Sequence, residues 1–454
     1  MQIDFSTFQQ LYFLGIGGIG MSALARFFVA EKQVAGYDLT QTELTLTLEK
    51  SGISISYLDE VDQIPNNFLD PQTTLIVYTP AIPADNKILQ FFKKNNFSIY
   101  KRAQVLQALT FEKRTLAVAG THGKTTVSIL LAHILNQRPE GCNAFLGGIA
   151  KNYQSNLLIG KTQDLVIEAD EFDRTFLQFF PYLSVITAMD PDHLDVYQTA
   201  EKMEEAYQQY ASQVSDILIY KSGLFFPKKT GRTDYTYSFS DKKSDFFVEK
   251  IEQRQGKTYF TAKSKDFSWE FLAPLPGNHN IENALGALVA AYLLGVEKKY
   301  IEMAFNNFLG INRRFEIQYQ DEKHVIISDY AHHPEEIKAA VSAAKSLYPN
   351  EKITAIFQPH LYSRTRDFLT EFAEELSKLD CVFLAPLYPA RELPIEGINS
   401  ETLLKKINLS EKHLIDEKTL STFLTEKNPK ILLVLGAGDF VKYIPKMIET
   451  LNVL

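Results

Sequence analysis

Twice in this chain an apolar run ends in closely spaced glycines and passes directly into a helical pattern. The first instance is "LYFLGIGGIGMSALA" from Leu11 to Ala25, and the second is "TLAVAGTHGKTTVSILLAHIL" from Thr115 to Leu135. A strand that turns on glycine into a helix is half of a βαβ unit. Because such units cross over with one hand, they build a parallel sheet covered by helices. Further apolar runs continue the grammar: "QVAGYD" and "TTLIVYTPAI", then "DLVIEAD", "YLSVITAMD" and "SDILIY", then "HVIISDYA", "ITAIFQPH", "CVFLAPLYPA" and "ILLVLGAGD". At 454 residues the chain exceeds what one hydrophobic core organises.

The pattern divides the chain into three α/β domains at residues 1–108, 109–310 and 311–454. The first and third read as Rossmann-like. The second reads as an ATPase-like core with a phosphate loop. It carries extra antiparallel strands in the aromatic, alternating patch from Thr233 to Leu275, and closes on the helix "NIENALGALVAAYLLGV".

The loop "GTHGKTT", Gly120 to Thr126, has the build of a phosphate cradle. Gly120 and Gly123 let backbone N–H groups converge, Lys124 can meet phosphate oxygens, and Thr125 offers a hydroxyl to Mg²⁺. The following helix adds the positive end of its dipole. The full G-x-x-x-x-G-K-[ST] pattern requires glycine at position 118, where Val118 stands, so the loop is a variant. Downstream, "EADEFD" crowds Glu168, Asp170 and Glu171 at a strand end, a group of carboxylates suited to a cation; spacing does not single out the ligand. The next strand ends in "AMDPDHLDVY", where Asp190, Asp192, His193 and Asp195 gather at the edge on which α/β sheets bind ligands. In the first glycine turn, Gly15, Gly17 and Gly20 keep G-x-G-x-x-G spacing, with Asp38 ending the next strand. That turn accepts a diphosphate and leaves open whether NAD or another nucleotide supplies it.

Composition narrows the class. The net charge is −8 and no long basic run occurs, which argues against a nucleic-acid partner. Cys142 and Cys381 are far apart without metal-ligand spacing, as in a reducing compartment. The N-terminus lacks the basic start of a signal peptide, and no apolar run reaches the ~18–20 residues of a membrane span. A cytoplasmic enzyme is expected.

In order along the chain, "GIGGIGMSALA", "AGTHGKTT", "EADEFD", "DPDHLDVY", "PGNHNIENALGA", "GINRRFE", "SDYAHHPEEI", "FQPHLYSRT", "LYPARELPIEGINS" and "LGAGD" resemble the motifs of the Mur ligase family. The resemblance implies an ATP-dependent ligase. ATP would phosphorylate the lactyl carboxylate of UDP-N-acetylmuramate, and the amino group of L-alanine would displace phosphate, with Mg²⁺ as cofactor. It implies that Gly120, Thr121, His122, Gly123, Lys124, Thr125 and Thr126 wrap the ATP phosphates, that Thr125 and Glu168 hold Mg²⁺, and that His193 serves a second metal. His279, Asn280 and Asn283 match the segment beside adenine, Arg314 the arginine near the γ-phosphate, and Asp329 the acid that meets ATP from the neighbouring domain. Tyr330, His332 and His333 would line the site where acceptor meets amine, and Arg364 would neutralise the alanine carboxylate or the acyl phosphate. The turn Gly15, Gly17, Gly18 and Gly20, with Ser22, would hold the UDP diphosphate. The catalytic set implied is Lys124, His193, Arg314, His332 and Arg364.

Two departures from the family pattern stand out. Leu361 follows "QPH" where relatives often carry a basic residue, leaving that anion contact absent or supplied by another residue such as Arg366. The stretch "EAYQQYASQ" lacks the lysine that some Mur ligases carbamoylate, so no carbamoyl-lysine is expected. Two alternatives remain at this level. One is a ligase that adds a preformed tripeptide to the same sugar acid. The other, from a different class, is an NAD-dependent oxidoreductase fused to an NTPase, which nicotinamide binding would reveal.

Overall fold

The computed structural model describes residues 3–111, 113–172, 174–190, 194–390 and 392–453. The fold is α/β, with three sheets of five, ten and six strands. Two compact units partition the chain: Met1–Glu249 with Thr261–Phe271 and Asn283–Phe308, and Lys250–Phe260 with Leu272–Glu282 and Leu309–Leu454.

In the first unit a five-stranded sheet runs Ser54–Ser56, Gln33–Tyr37, Gln10–Leu14, Thr74–Tyr78, Ser98–Lys101 from edge to edge, all parallel. Its central strand Gln10–Leu14 is buried throughout, as a strand covered on both faces must be. Helix Ile19–Phe28 starts directly at the glycine turn and buries Met21, Ala23, Leu24, Ala25 and Phe28. The stretch "GMSALARFFVAEKQ" reads in sequence as one helix, and the helix ends earlier, at Phe28.

The ten-stranded sheet is built around Arg114–Ala119, with Leu183–Ile186 and Asp164–Glu168 parallel on either side. Register sets the site: Val118 lies opposite Glu168, and Ala119 opposite Ile186. Val118 is therefore a fully buried sheet residue, and the loop begins only at Gly120. The glycine missing from the phosphate-loop pattern falls inside the strand, where a packed side chain is more stabilising than none. At one edge, Ser155–Leu158 pairs antiparallel with Asn143–Ala150, a hairpin the sequence did not announce.

On the other side the aromatic patch is only partly antiparallel. Thr233–Ser238 pairs parallel to Ile217–Lys221 and, through Tyr237 and Ser238, parallel to Phe246–Arg254 as well, contrary to the sequence expectation of antiparallel strands. The crossover from Ile217–Lys221 to Thr233–Ser238 makes the first pairing possible. Phe246–Arg254, Lys257–Lys263 and Ser268–Leu272 then follow as successive neighbours. Their links, Gln255-Gly256 and Ser264 to Phe267, are too short for a parallel crossover, so these strands run antiparallel. Gln255 and Gly256 both have positive φ, 52° and 73°, as a two-residue hairpin turn demands.

The second unit holds a sheet in the order Glu316–Gln320, Val325–Asp329, Ile431–Leu435, Ile353–Phe357, Cys381–Leu384, Lys412–Leu414. All pairs are parallel except the edge strand Glu316–Gln320, which folds back antiparallel through a turn at Asp321. Asp321 holds that turn by accepting the N–H groups of Lys323 and His324. Apolar clusters cover both faces of this sheet.

Candidate active site

The phosphate loop leaves the C-terminal end of Arg114–Ala119 and enters helix Lys124–Leu135 through Gly123, its N-cap, at φ 81°. Gly120 sits at φ 129°, and a Cβ there would lie 2.2 Å from Thr187 Oγ1 and 2.8 Å from the Ala188 nitrogen. Neither position tolerates a side chain. Thr121 donates its N–H to the Ala188 carbonyl, and its hydroxyl accepts the Asp190 N–H at 3.1 Å. His122 Nε2 lies 3.9 Å from Asp190 Oδ2. Thr126 is buried on the first helical turn, and Asn283 approaches the loop at Gly123, 2.6 Å from where a Cβ would stand.

Lys124 is held inside the loop. Its ammonium donates to the Gly120 carbonyl at 2.7 Å and to both Glu171 oxygens at 2.9 and 2.7 Å. Burial works against this charge, but the carboxylates of Glu171, Asp170 and Glu168 outweigh it and hold the ammonium above its ordinary value. Burial likewise pushes the Glu171 carboxyl up, and Lys124 counters part of that. Of the three carboxylates the sequence left undivided, Glu171 is thus the lysine's partner. Glu168 takes the other role: Thr125 Oγ1 donates to its Oε1 at 3.1 Å. A hydroxyl and one carboxylate are hard oxygen donors, the set Mg²⁺ uses when phosphate oxygens and water complete its shell. Among the described residues no group of three or more His, Cys, Asp or Glu side chains could hold a metal alone. His193 and Asp192 lie outside the described residues.

The first glycine turn is tied to Asp38. Gly17 donates its N–H to Asp38 Oδ2 at 2.7 Å, and Thr40 donates to Oδ1 at 3.2 Å. Gly15 accepts the Gly18 N–H, and Gly18 caps the helix. The Arg102 guanidinium fills the space beside Gly20, with Nη1 2.2 Å from a Cβ position there. It is a cation beside the first glycine turn, one the sequence alone did not single out. Ser22 is fully buried, and its hydroxyl donates to the Ile19 carbonyl.

In the second unit, Asp329 ends its strand and accepts the N–H groups of Phe315 at 2.7 Å and Ala331 at 2.8 Å. Burial pushes its carboxyl up to about 6, with Arg314 opposing. Tyr330 lies under both arginines of "INRRFE", with Arg313 and Arg314 at 4.7 and 5.3 Å from the ring centre. Arg313 is committed to the Gly436 and Gly438 carbonyls, while Arg314 faces Glu336 at 3.7 Å. His332 Nδ1 meets the Tyr330 carbonyl at 2.8 Å, and burial lowers its imidazole to about 3. His333 is the N-cap of helix Pro334–Leu347, accepting the Glu335 N–H, and its ring packs edge-on against Phe368.

Arg364 is buried on helix Tyr362–Asp367 and lowers both His332 and His360 through its charge. Leu361 caps that helix at φ 70° and ψ 137°, a backbone state an L-residue adopts only when its surroundings impose it. Arg366 is exposed and bound to Asp367, so it does not stand in for a basic residue at Leu361. Burial lowers His279 to about 4, with Glu336 opposing, and Asn280 donates to the Pro276 carbonyl at 2.7 Å.

Three stretches match family models: residues 10–114 the Mur ligase family catalytic domain, 118–291 the Mur ligase middle domain, and 313–439 the Mur ligase glutamate ligase domain. A UDP-N-acetylmuramate--L-alanine ligase of Phocaeicola vulgatus is 43% identical, over 99% of this chain and 100% of its own. The chain belongs to the Mur ligase family. A relative of the same description from Christiangramia forsetii is 44% identical over 99% of both chains. The crystal structure of a UDP-N-acetylmuramate-alanine ligase from Thermotoga maritima superposes with a TM-score of 0.80 at 27% identity, covering 98% of this chain and 99% of that one. Mur ligases are ATP-dependent, in keeping with the loop around Lys124.

Residues absent from the sequence reading of this Mur ligase are Arg102, Thr187 and Glu336, and Glu171 as lysine partner. Only Glu336 left a signal: it is an acid close after the two histidines, and it falls in the first turn of the helix that His333 caps. Arg102 and Thr187 come from other elements, and pairing alone brings them in.

Proposed function

We infer that this Mur ligase joins L-alanine to the lactyl carboxylate of UDP-N-acetylmuramate through an acyl phosphate, consuming ATP, in peptidoglycan precursor synthesis. The carrying observation is the 43% identity, over 99% of the chain, to a relative of that description. Residues 1–108 take the UDP-sugar, 109–310 the ATP and 311–454 the amino acid. The site is cytoplasmic; no described helix is long and apolar enough to cross a membrane.

The chemistry follows from the charges. A carboxylate is a poor electrophile, and phosphorylation gives it a leaving group. The loop Gly120–Thr126 and the dipole of its helix receive phosphate oxygens, and Lys124 exchanges part of its bond to Glu171 for the nucleotide. Thr125 and Glu168 hold Mg²⁺, which supplies Lewis-acid stabilisation of phosphate charge. Arg314 neutralises the transferring phosphate, and Asp329, Asn283, Asn280 and His279 bind the nucleotide. Tyr330, His332 and Arg364 receive the amine and its carboxylate, and His333, which the family pattern also places here, caps the helix that follows. The turn Gly15–Gly20 binds the UDP diphosphate, and Asp38 braces it by accepting the Gly17 N–H.

ADP release measured with each amine in turn tests the reading. Release is expected only when UDP-N-acetylmuramate and L-alanine are both present. Stimulation by a tripeptide in place of alanine, or hydrolysis indifferent to either substrate, overturns it.

A further inference from the structure

Glu336 stands in the first turn of helix Pro334–Leu347, and its carboxylate forks between two residues of the proposed site. Oε2 accepts the His332 backbone N–H at 3.0 Å and faces His332 Nδ1 at 3.3 Å. Oε1 faces Arg314 Nη1 at 3.7 Å. Its side chain retains only 15% exposure, so little water screens these contacts.

We propose that Glu336 is a positioning residue for amide-bond formation: it locks His332 in the Nδ1-protonated form, leaving Nε2 as hydrogen-bond acceptor for the incoming amine, and steadies Arg314 with its other oxygen. Burial keeps the His332 ring neutral, so the ring carries one proton. Two oxygens confront Nδ1, the Tyr330 carbonyl at 2.8 Å and Glu336 Oε2 at 3.3 Å. Both can only accept, so the proton belongs on Nδ1. The other tautomer would set a lone pair against both oxygens. An amine must present its own lone pair to the acyl carbon, and a fixed acceptor for one of its N–H bonds orients it. Around this group stand Arg314, Tyr330, Arg364, His360, His279 and Asp329; none of them supplies a second carboxylate contact to His332.

The proposal rests on the ligase reading for the step it serves, but not for the tautomer. In full-length protein carrying ¹⁵N-histidine, with His332 assigned through His332→Gln, the free enzyme is expected to show a protonated Nδ1 and a bare Nε2. Glu336→Gln should shift this towards a mixture, and Glu336→Asp should restore part of it. In turnover, Glu336→Gln should lower kcat on the order of ten- to hundred-fold, as loss of a charged hydrogen bond does, while the KM for UDP-N-acetylmuramate changes little. The loss should vanish in a His332→Gln background. A Glu336 that merely caps its helix would lower the unfolding midpoint yet leave tautomer and kcat alone. That result, or effects that add in the double mutant, overturns the proposal. Should the tautomer shift as expected in an enzyme that forms no amide, the ligase reading fails and the placement of His332 stands.

Discussion

At the scale of single residues, the phosphate loop is held by opposed charges. Lys124 and Glu171 are both buried, with side-chain exposures of 12% and 0%. Removing either one strands the other away from water. Lys124→Ala is expected to abolish ATP binding and to cost about 3–5 kcal/mol of stability, the usual penalty for an orphaned buried charge. Adding Glu171→Gln should return much of the stability but none of the binding; calorimetric titration and urea unfolding of the single and double mutants check both. The Mg²⁺ role proposed for Glu168 can be probed without touching the carboxylate. A Cβ at Gly147 would lie 2.0 Å from Glu168 Oε2. Gly147→Ala should therefore push the flexible carboxylate aside, leave the fold intact, and raise the Mg²⁺ concentration needed for half-maximal activity. An unchanged Mg²⁺ titration would remove Glu168 from the metal role.

At the scale of elements, helix Pro334–Leu347 joins stability to the site. His333 caps it, proline occupies the first turn, and Glu335 and Glu336 place negative charge at its positive end. The family pattern assigns His333 to substrate, whereas its geometry is that of a cap packed on Phe368. His333→Asn should keep the cap and most of the stability, while His333→Ala should lose about 1 kcal/mol in urea unfolding. If His333 binds substrate, the asparagine variant will instead raise the alanine KM. The glycine turns and the acid-rich strand ends were legible in sequence because each depends on neighbours within a few residues. The strand order was not. Thr233–Ser238 reads as a candidate for antiparallel pairing, and its parallel partnership with Ile217–Lys221 depends on how the intervening chain crosses.

At the scale of the molecule, buried histidines make stability depend on pH. Burial lowers His332 to about 3 and His279 and His360 to about 4, from 6.5 when free. The unfolded chain therefore binds protons at these three sites while the folded chain does not. Stability is lost as pH falls from about 6.5 towards 4. Asp329, raised to about 6 from 3.8, works the other way: the folded state binds its proton first, and that contribution is lost as pH rises through 6. Glu171, raised to about 7 from 4.5, acts in the same sense as Asp329, and His133, also lowered by burial, acts with the other histidines. Four histidines oppose two carboxylates, so the urea midpoint should drop between pH 7 and pH 5. His360→Gln should flatten that dependence; a midpoint that rises on acidification would contradict the assignment.

What the sequence by itself determined is local: three α/β segments, two glycine turns before helices, a lysine and threonine at a helix start, and carboxylates at strand ends. These are encoded in spacing, because backbone sterics and helix dipoles act over a few residues. Tertiary structure alone decided which carboxylate serves which partner. Glu168 and Glu171 are three residues apart and chemically alike, yet one meets Thr125 and the other Lys124. It also explained Val118, whose place in the strand shows why that loop needs no glycine there. Partner choice depends on the register of strands distant in sequence, and register is settled only when the whole sheet packs.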